Sequence, residues 1–395
     1  MRLLVLAALV GVPISAVAYG FLELAHHLND LLFTDLPDGL GFDTVPTWWP
    51  LPLLALGGLL TALAIRDLPG IGGHRPAEGF HAAGVLPPIE LPGVVAAALA
   101  TLSFGVVLGP EAPLIAIGSG LGFLAFQQAT RGSAPNERAG AVMAATGSFA
   151  AISSLVGSPL LGAFLLLEAA GLGGVMATVV LLPGFLAAGI GTLIFLGLND
   201  VTGLGVPSLT IPGLPAFGDP TIAMFAWAIV FGLVAPFLGE GLRWIALTLQ
   251  PHVERRMVLL MPILGLAMAC LAILFGEATD HDQSDVLFSG QDALGPLILH
   301  AADYSVGALL LLVLCKGLAY ALALSSFRGG PIFPALFVGA AAGIAASHLP
   351  GLEVVPAAAM GMGAMSAVML GLPLSSVLLA TVLLGKNGTD AIPLV

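Results

Sequence analysis

Charge is scarce in this sequence: of 395 residues only 9% are Asp, Glu, Lys or Arg, against about 25% in an ordinary soluble domain. A water-soluble globule is excluded. Lysine and arginine number 11 against 23 acidic residues, and no basic run exists that could neutralise a phosphate backbone, so nucleic acid is excluded as a partner. The only cysteines, Cys270 and Cys315, stand in apolar surroundings without ligand spacing; neither a disulfide framework nor a metal site is expected, and both read as inert core residues. His-Glu-x-x-His, Gly-x-Ser-x-Gly and aspartates within the apolar runs are all missing, which removes the signatures of an intramembrane protease. No enzymatic activity and no cofactor are expected.

Apolar residues make up 58% of the chain and mean hydropathy is +1.05. The 52 glycines and 29 prolines lie inside the apolar stretches, where only a membrane protein tolerates them in number. Apolar runs fall at 3–22, 48–65, 92–108, 113–129, 139–156, 159–170, 173–198, 221–248, 257–275, 305–327, 331–348, 354–370 and 373–385. A straight crossing needs about 20 residues, so 159–170 and 373–385 are predicted as half-helices buried within protein, since lipid cannot satisfy a broken helix end. The opening also fits a cleavable leader ending near Ala16-Val17-Ala18, a reading outweighed by the apolar runs that follow. The arginines concentrate in three polar segments, Arg66 with Arg75, Arg131 with Arg138, and Arg243 with Arg255 and Arg256, which are expected on the cytoplasmic side. Segments 30–43 and 277–303 carry Asp and Glu without Lys or Arg and are assigned outside.

An internal repeat is the most informative feature. Residues 109–122, GPEAPLIAIGSGLG, and 330–343, GPIFPALFVGAAAG, share Gly, Pro, Pro, Gly and Gly at one constant spacing, from Gly109 to Gly330. A second pair, GSPLLGAFLL from Gly157 and GLPLSSVLLA from Gly371, follows in the same order. Two halves that each carry a Gly/Pro-interrupted apolar segment in a corresponding place mark a repeat-built transporter with its site at the repeat interface. The division expected is residues 1–198 and 199–395, with no soluble regulatory domain. In each segment a Gly-Pro dipeptide interrupts the chain and a further Pro occupies the first turn of a helix, where its missing N–H costs nothing. Two helix N-termini converging without a fixed Lys or Arg would hold a small inorganic anion weakly enough to let it pass. A secondary transporter of another small solute would use the same broken-helix device, but the pair of cation-binding carboxylates it needs is not visible.

These residues resemble the CLC chloride channels and proton-coupled chloride transporters. Gly109-Pro110-Glu111-Ala112-Pro113 is similar to that family's Gly-x-Glu-Gly-Pro signature, Gly330-Pro331-Ile332-Phe333-Pro334 looks like its Gly-x-Phe-x-Pro signature, and Ala150 to Glu168 resembles the helix that follows the first. Order and spacing agree from about Leu68 to the C-terminus. The resemblance implies an all-α polytopic membrane protein of two inverted-topology repeats, with broken, tilted helices meeting at a central anion site. It also implies a homodimer in the lipid bilayer with one pore per subunit, chloride as the foremost substrate with protons as a coupled ion, and a bacterial plasma membrane as location.

By the same resemblance Glu111 is the gating and proton-binding residue, and Gly73, His74, Ala112, Ile332 and Phe333 face the anion. The sequence departs from the family in several places. Gly72-Gly73-His74-Arg75-Pro76 stands where the family has a Gly-Ser-Gly-Ile-Pro motif, so the anion-contacting serine hydroxyl is missing. Pro331 removes one backbone donor, leaving Ile332 and Phe333 to carry that side. The family's inner proton glutamate aligns with Ala169, next to Glu168, which reads first as a structural hydrogen-bonding group and, in the alternative, as the proton relay. The chain stops at Val395, before the helix that bears the family's pore tyrosine. Lys316, within an apolar run, reads as a snorkelling or paired cation.

Overall fold

A computed structural model gives the protein at residues 2–80, 84–131, 136–171, 174–202, 209–216 and 218–395. The described residues are helical throughout, joined by turns. The first half holds α1 (Arg2–Asp30), α2 (Leu36–Gly39), α3 (Pro50–Asp67), α4 (Leu91–Leu102), α5 (Glu111–Ala129), α6 (Glu137–Val156), α7 (Pro159–Ala169) and α8 (Gly174–Thr202). After it come α9 (Ile222–Arg255), α10 (Met257–Thr279), α11 (Gln291–Leu299), α12 (Val306–Ser326), α13 (Ile332–Ala346), α14 (Val354–Leu370), α15 (Pro373–Leu383) and α16 (Gly388–Ala391). Among the described residues seven helices are long and apolar enough to cross a membrane. α7 and α15, with 11 residues each, span only about 16 Å at 1.5 Å per residue and stop short of a crossing, as the two short apolar runs led us to expect.

Local chemistry sets the helix ends. Asn136, Ser158, Thr221 and Ser305 each accept a backbone N–H of the following turn, while Pro159 and Pro373 open α7 and α15, where a missing N–H is harmless. Gly157 and Gly371 close α6 and α14 in the left-handed region, at φ +62° and +68°. The helix pair α5–α6 packs through Gly118 and Gly147, and α13–α14 through Gly339 and Gly361: a Cβ on any of the four would strike the carbonyl of its partner glycine. Gly122 on Met143 and Gly343 on Ala357 repeat the arrangement one turn on. Each member in the second pair sits at the same spacing from its counterpart as the sequence repeats, so the glycines that join the two motifs also set the close helix contact in each half.

Several expectations need correction. Asp30, Asp35 and Asp38 lie in helical turns: α1 runs on through a π turn at Leu31–Asp35 into α2, where Pro37 takes the first turn and so does not break the path. Arg243 and Arg255 lie within α9 rather than between helices. In the basic segment 131–138, residues 132–135 fall outside the described set. Cys270 is exposed on α10 and only Cys315 is a core residue.

Candidate functional site

The two Gly-Pro segments lie side by side. Gly109 donates its N–H to the Gly330 carbonyl at 2.8 Å, and Gly330 donates to the Gly109 carbonyl at 2.6 Å, an isolated antiparallel bridge. Pro110 and Pro331 follow with nearly equal torsions, φ −82° and −90°, ψ −2° and −4°, and α5 and α13 begin at the next residues. Two helix N-termini, with backbone donors that have no partner inside their own helix, are thereby held beside one another.

Glu111 opens α5 and is fully buried. Its Oε1 accepts the Phe333 N–H at 3.1 Å, and the N–H groups of Ile332 and of Glu111 itself bear on the same carboxylate. Oε2 makes no hydrogen bond within the protein and rests against Gly330 and Gly109, where a Cβ at either position would collide with it. These glycines are needed for close approach, since neither has a positive φ. The carboxylate thus occupies the place at the start of α13 that the helix end offers to any anion. Tyr320 of α12, fully buried, donates its hydroxyl to the Pro331 carbonyl at 2.8 Å and so fixes the peptide just ahead of Ile332. A cavity of about 750 Å³ reaches from the acidic segment, at Ser284 and Asp292, to Leu108 and Pro110, one residue before Glu111.

Of the residues singled out from sequence, the structure brings together Glu111, Ile332 and Phe333, with Ala112 half-buried in the same first turn. Gly73 and His74 belong to a separate loop. Gly72 and Gly73 hold φ +73° and +94°, Gly73 donates to Gly70 at 2.9 Å, and the His74 imidazole lies 2.7 Å from the Gly79 carbonyl. Glu168 reaches across to the other half, where its carboxylate accepts the N–H of Leu374 at 3.0 Å and the N–H and hydroxyl of Ser375 at 2.7 and 2.6 Å, capping the start of α15. Lys316 is fully buried and neither snorkels nor forms an ion pair within range: its ammonium donates to the carbonyls of Asp285, Val286, Leu287 and Phe288 at 2.8 to 3.4 Å and lies 4.3 Å above the Phe337 ring.

A buried arginine that the sequence reading did not single out, Arg328, stands just ahead of the second Gly-Pro segment. It sits two residues before Gly330, is only 6% exposed, and donates to the carbonyls of Ile71, Ser326 and Phe327 at 3.2, 2.9 and 3.2 Å. Its signal was available, as an arginine directly ahead of the second Gly-Pro motif, but a topology count of arginines does not register it.

Residues 57–395 match a family model described as voltage gated chloride channel. The chain belongs to that family. Among curated proteins, a putative ion-transport protein YfeO of Escherichia coli is 28% identical over 357 residues, spanning 89% of this chain and 80% of that protein; its Escherichia fergusonii counterpart is equally similar. Among solved structures, a slow cyanobacterial Cl−/H+ antiporter superposes with TM-score 0.74 at 18% identity, covering 100% of this chain and 94% of that one. A CLC-type fluoride/proton antiporter does so with 0.71 at 20% identity, covering 100% and 93%. The family and the all-helical membrane fold expected from the two signatures are both borne out.

Proposed function

We propose that this voltage-gated chloride channel family member moves small inorganic anions, chloride foremost, across a bacterial plasma membrane, and that Glu111 is its movable gate. The observation that carries this reading is the Glu111 carboxylate hydrogen-bonded to the N-terminus of α13: an anion already stands in the anion position. While ionised, the side chain excludes an external anion from the Ile332 and Phe333 donors. On protonation it loses the attraction of both helix ends and leaves. The same event carries one proton inward, so gating and proton exchange share one group. The solved relatives whose titles name Cl−/H+ and fluoride/proton antiport support a proton-coupled reading.

The two repeats, divided near residue 198, form the two sides of the site, and the antiparallel Gly109–Gly330 bridge is what an inverted pair related by a two-fold axis produces. The protein works as a homodimer in the bilayer, with one pore per subunit and no chemical conversion of the substrate. The exposed apolar side chains Leu160, Phe164 and Leu374 of α7 and α15, helices too short to cross, support a subunit contact there. Glu168 serves α15 rather than a proton path in this reading, since both its oxygens are engaged at that helix end.

Reconstitution into liposomes tests the proposal. Chloride, bromide, nitrate or fluoride loaded on one side should leave on imposing a gradient. No movement of any of the four would overturn it.

A further inference from the structure

On the arginine-rich side of the molecule a second cavity, of about 230 Å³, opens between the end of α3, the α9–α10 junction and the segment that leads into α13. Its polar lining is Arg75, Glu254, Ser326 and Arg328. None of these belongs to the Glu111 site.

Two guanidinium groups thus face one small space. Arg328 is locked there by the three carbonyls it serves, and among the described residues no carboxylate lies within ion-pair distance of it. Arg75 has two carboxylate partners: its Nη1 donates to Glu78 Oε1 at 3.1 Å, while its Nε lies 2.8 Å from Glu254 Oε1 in a contact too poorly aimed for a hydrogen bond. The Gln250 amide donates weakly to Glu78 and Glu254 at 3.4 Å, while its own Oε1 is buried without a donor. Glu254 is about one-third exposed at the end of α9, so its side chain can leave the cavity for water without crossing protein.

We infer that this cavity binds a small planar oxyanion of the nitrate or bicarbonate class between Arg75 and Arg328, with the Glu254 carboxylate as its occupant when none is bound. The chemistry follows from the donors. A guanidinium presents a planar fork that matches two oxygens of one trigonal centre, whereas a halide meets it as a point charge. The present occupant is itself a planar two-oxygen anion, which shows the shape the space accepts. A free oxyanion can align both oxygens with the fork, as a carboxylate tethered to α9 does not. It would also engage Arg328, whose charge has no carboxylate partner. Deepening the transport reading, the site gathers anions at the face opposite the Glu111 cavity; binding as such does not depend on that reading.

Calorimetric titration of the full-length protein in detergent with sodium nitrate, and with sodium chloride as the comparison, tests it. Arg75→Gln should weaken nitrate binding by about tenfold, the loss of roughly one charge-assisted bidentate contact, and should remove the preference of nitrate over chloride. Glu254→Gln should strengthen nitrate binding, because the competing charge is gone. Arg328→Lys, which keeps the charge and loses the fork, should also lose the preference. Nitrate affinity unchanged in both Arg75→Gln and Glu254→Gln overturns the inference, even where liposomes show anion flux. Nitrate binding that responds to Arg75 in a protein that passes no anion upholds this site and overturns the transport reading alone.

Discussion

Gly109 and Gly330 hold each other's backbone, each giving its N–H to the other's carbonyl. They are also the first residues of the two repeated motifs, so corresponding points of the two halves meet. A reciprocal bond between equivalent residues is the signature of a two-fold relation, as in an isologous interface. The consequence for chemistry is that α5 and α13 must start at one place, with Glu111 between them.

The closeness of that approach makes Gly330 a sensitive position. A Cβ there would displace the Glu111 carboxylate, so Gly330→Ala should destabilise the protein by about 1–3 kcal/mol, the usual cost of overpacking. In a Glu111→Ala background the cost should fall by at least about 0.5 kcal/mol, since residues in contact couple in a double-mutant cycle. Thermal unfolding of the four proteins in detergent measures it. Strict additivity would show that the two side chains do not meet.

Much of this site is legible in the sequence, and the reason is local. Gly-Pro followed by Pro writes a broken helix end into a few residues, and its recurrence from Gly109 to Gly330 announces where two ends converge. The packing glycines follow the two motif pairs in turn: Gly118 to Gly339 matches Gly109 to Gly330, and Gly147 to Gly361 matches Gly157 to Gly371. What the sequence hides is the destination of long side chains. Arg328 bonds to Ile71, Lys316 caps a turn at residues 285–288, and Glu168 caps a helix that begins at Pro373. Each partner is remote along the chain and, apart from the Ser375 hydroxyl, is a backbone group, which carries no residue-type signal. Gly73 and His74 stand apart from the Glu111 contacts: their loop turns on positive-φ glycines and bonds within itself through Gly70 and Gly79.

Glu168 separates a capping role from a proton path. Glu168→Ala should lower stability by about 1 kcal/mol, as loss of a helix cap does, and leave the pH dependence of anion flux as it is in the wild type. The readouts are a melting curve and a flux-against-pH profile. Abolished proton movement with unaltered stability would assign the residue to the relay instead.

The turn that Lys316 holds gives a pH effect of definite sign. Burial pushes the Asp285 carboxyl above its ordinary value of 3.8, while the Tyr304 hydroxyl at 2.7 Å and the Lys316 charge pull it back only in part. A carboxyl whose folded pKa is raised holds its proton more tightly folded than unfolded, so its stabilising contribution is complete below 3.8 and is lost as pH rises through the folded value. Asp285→Asn keeps an acceptor for Tyr304 and does not ionise. Its melting temperature, relative to wild type, should therefore climb as pH is raised from the acid side. A difference that is flat or falls with pH would contradict the assignment.

The central claim is that an ionised Glu111 occupies the anion's place. Hydrogen bonds to a charged group contribute about 1.5–3 kcal/mol each, so replacing the carboxylate by the isosteric amide should free the Phe333 donor for a transported ion and raise flux at neutral pH by roughly tenfold or more. The most direct measurement is anion and proton flux in proteoliposomes, recorded together from neutral to acid pH for the wild type and Glu111→Gln. The account predicts that wild-type anion flux rises as pH falls and is accompanied by protons, while Glu111→Gln passes anions at a rate independent of pH and moves no protons. A Glu111→Gln protein that keeps the wild-type pH dependence would contradict it.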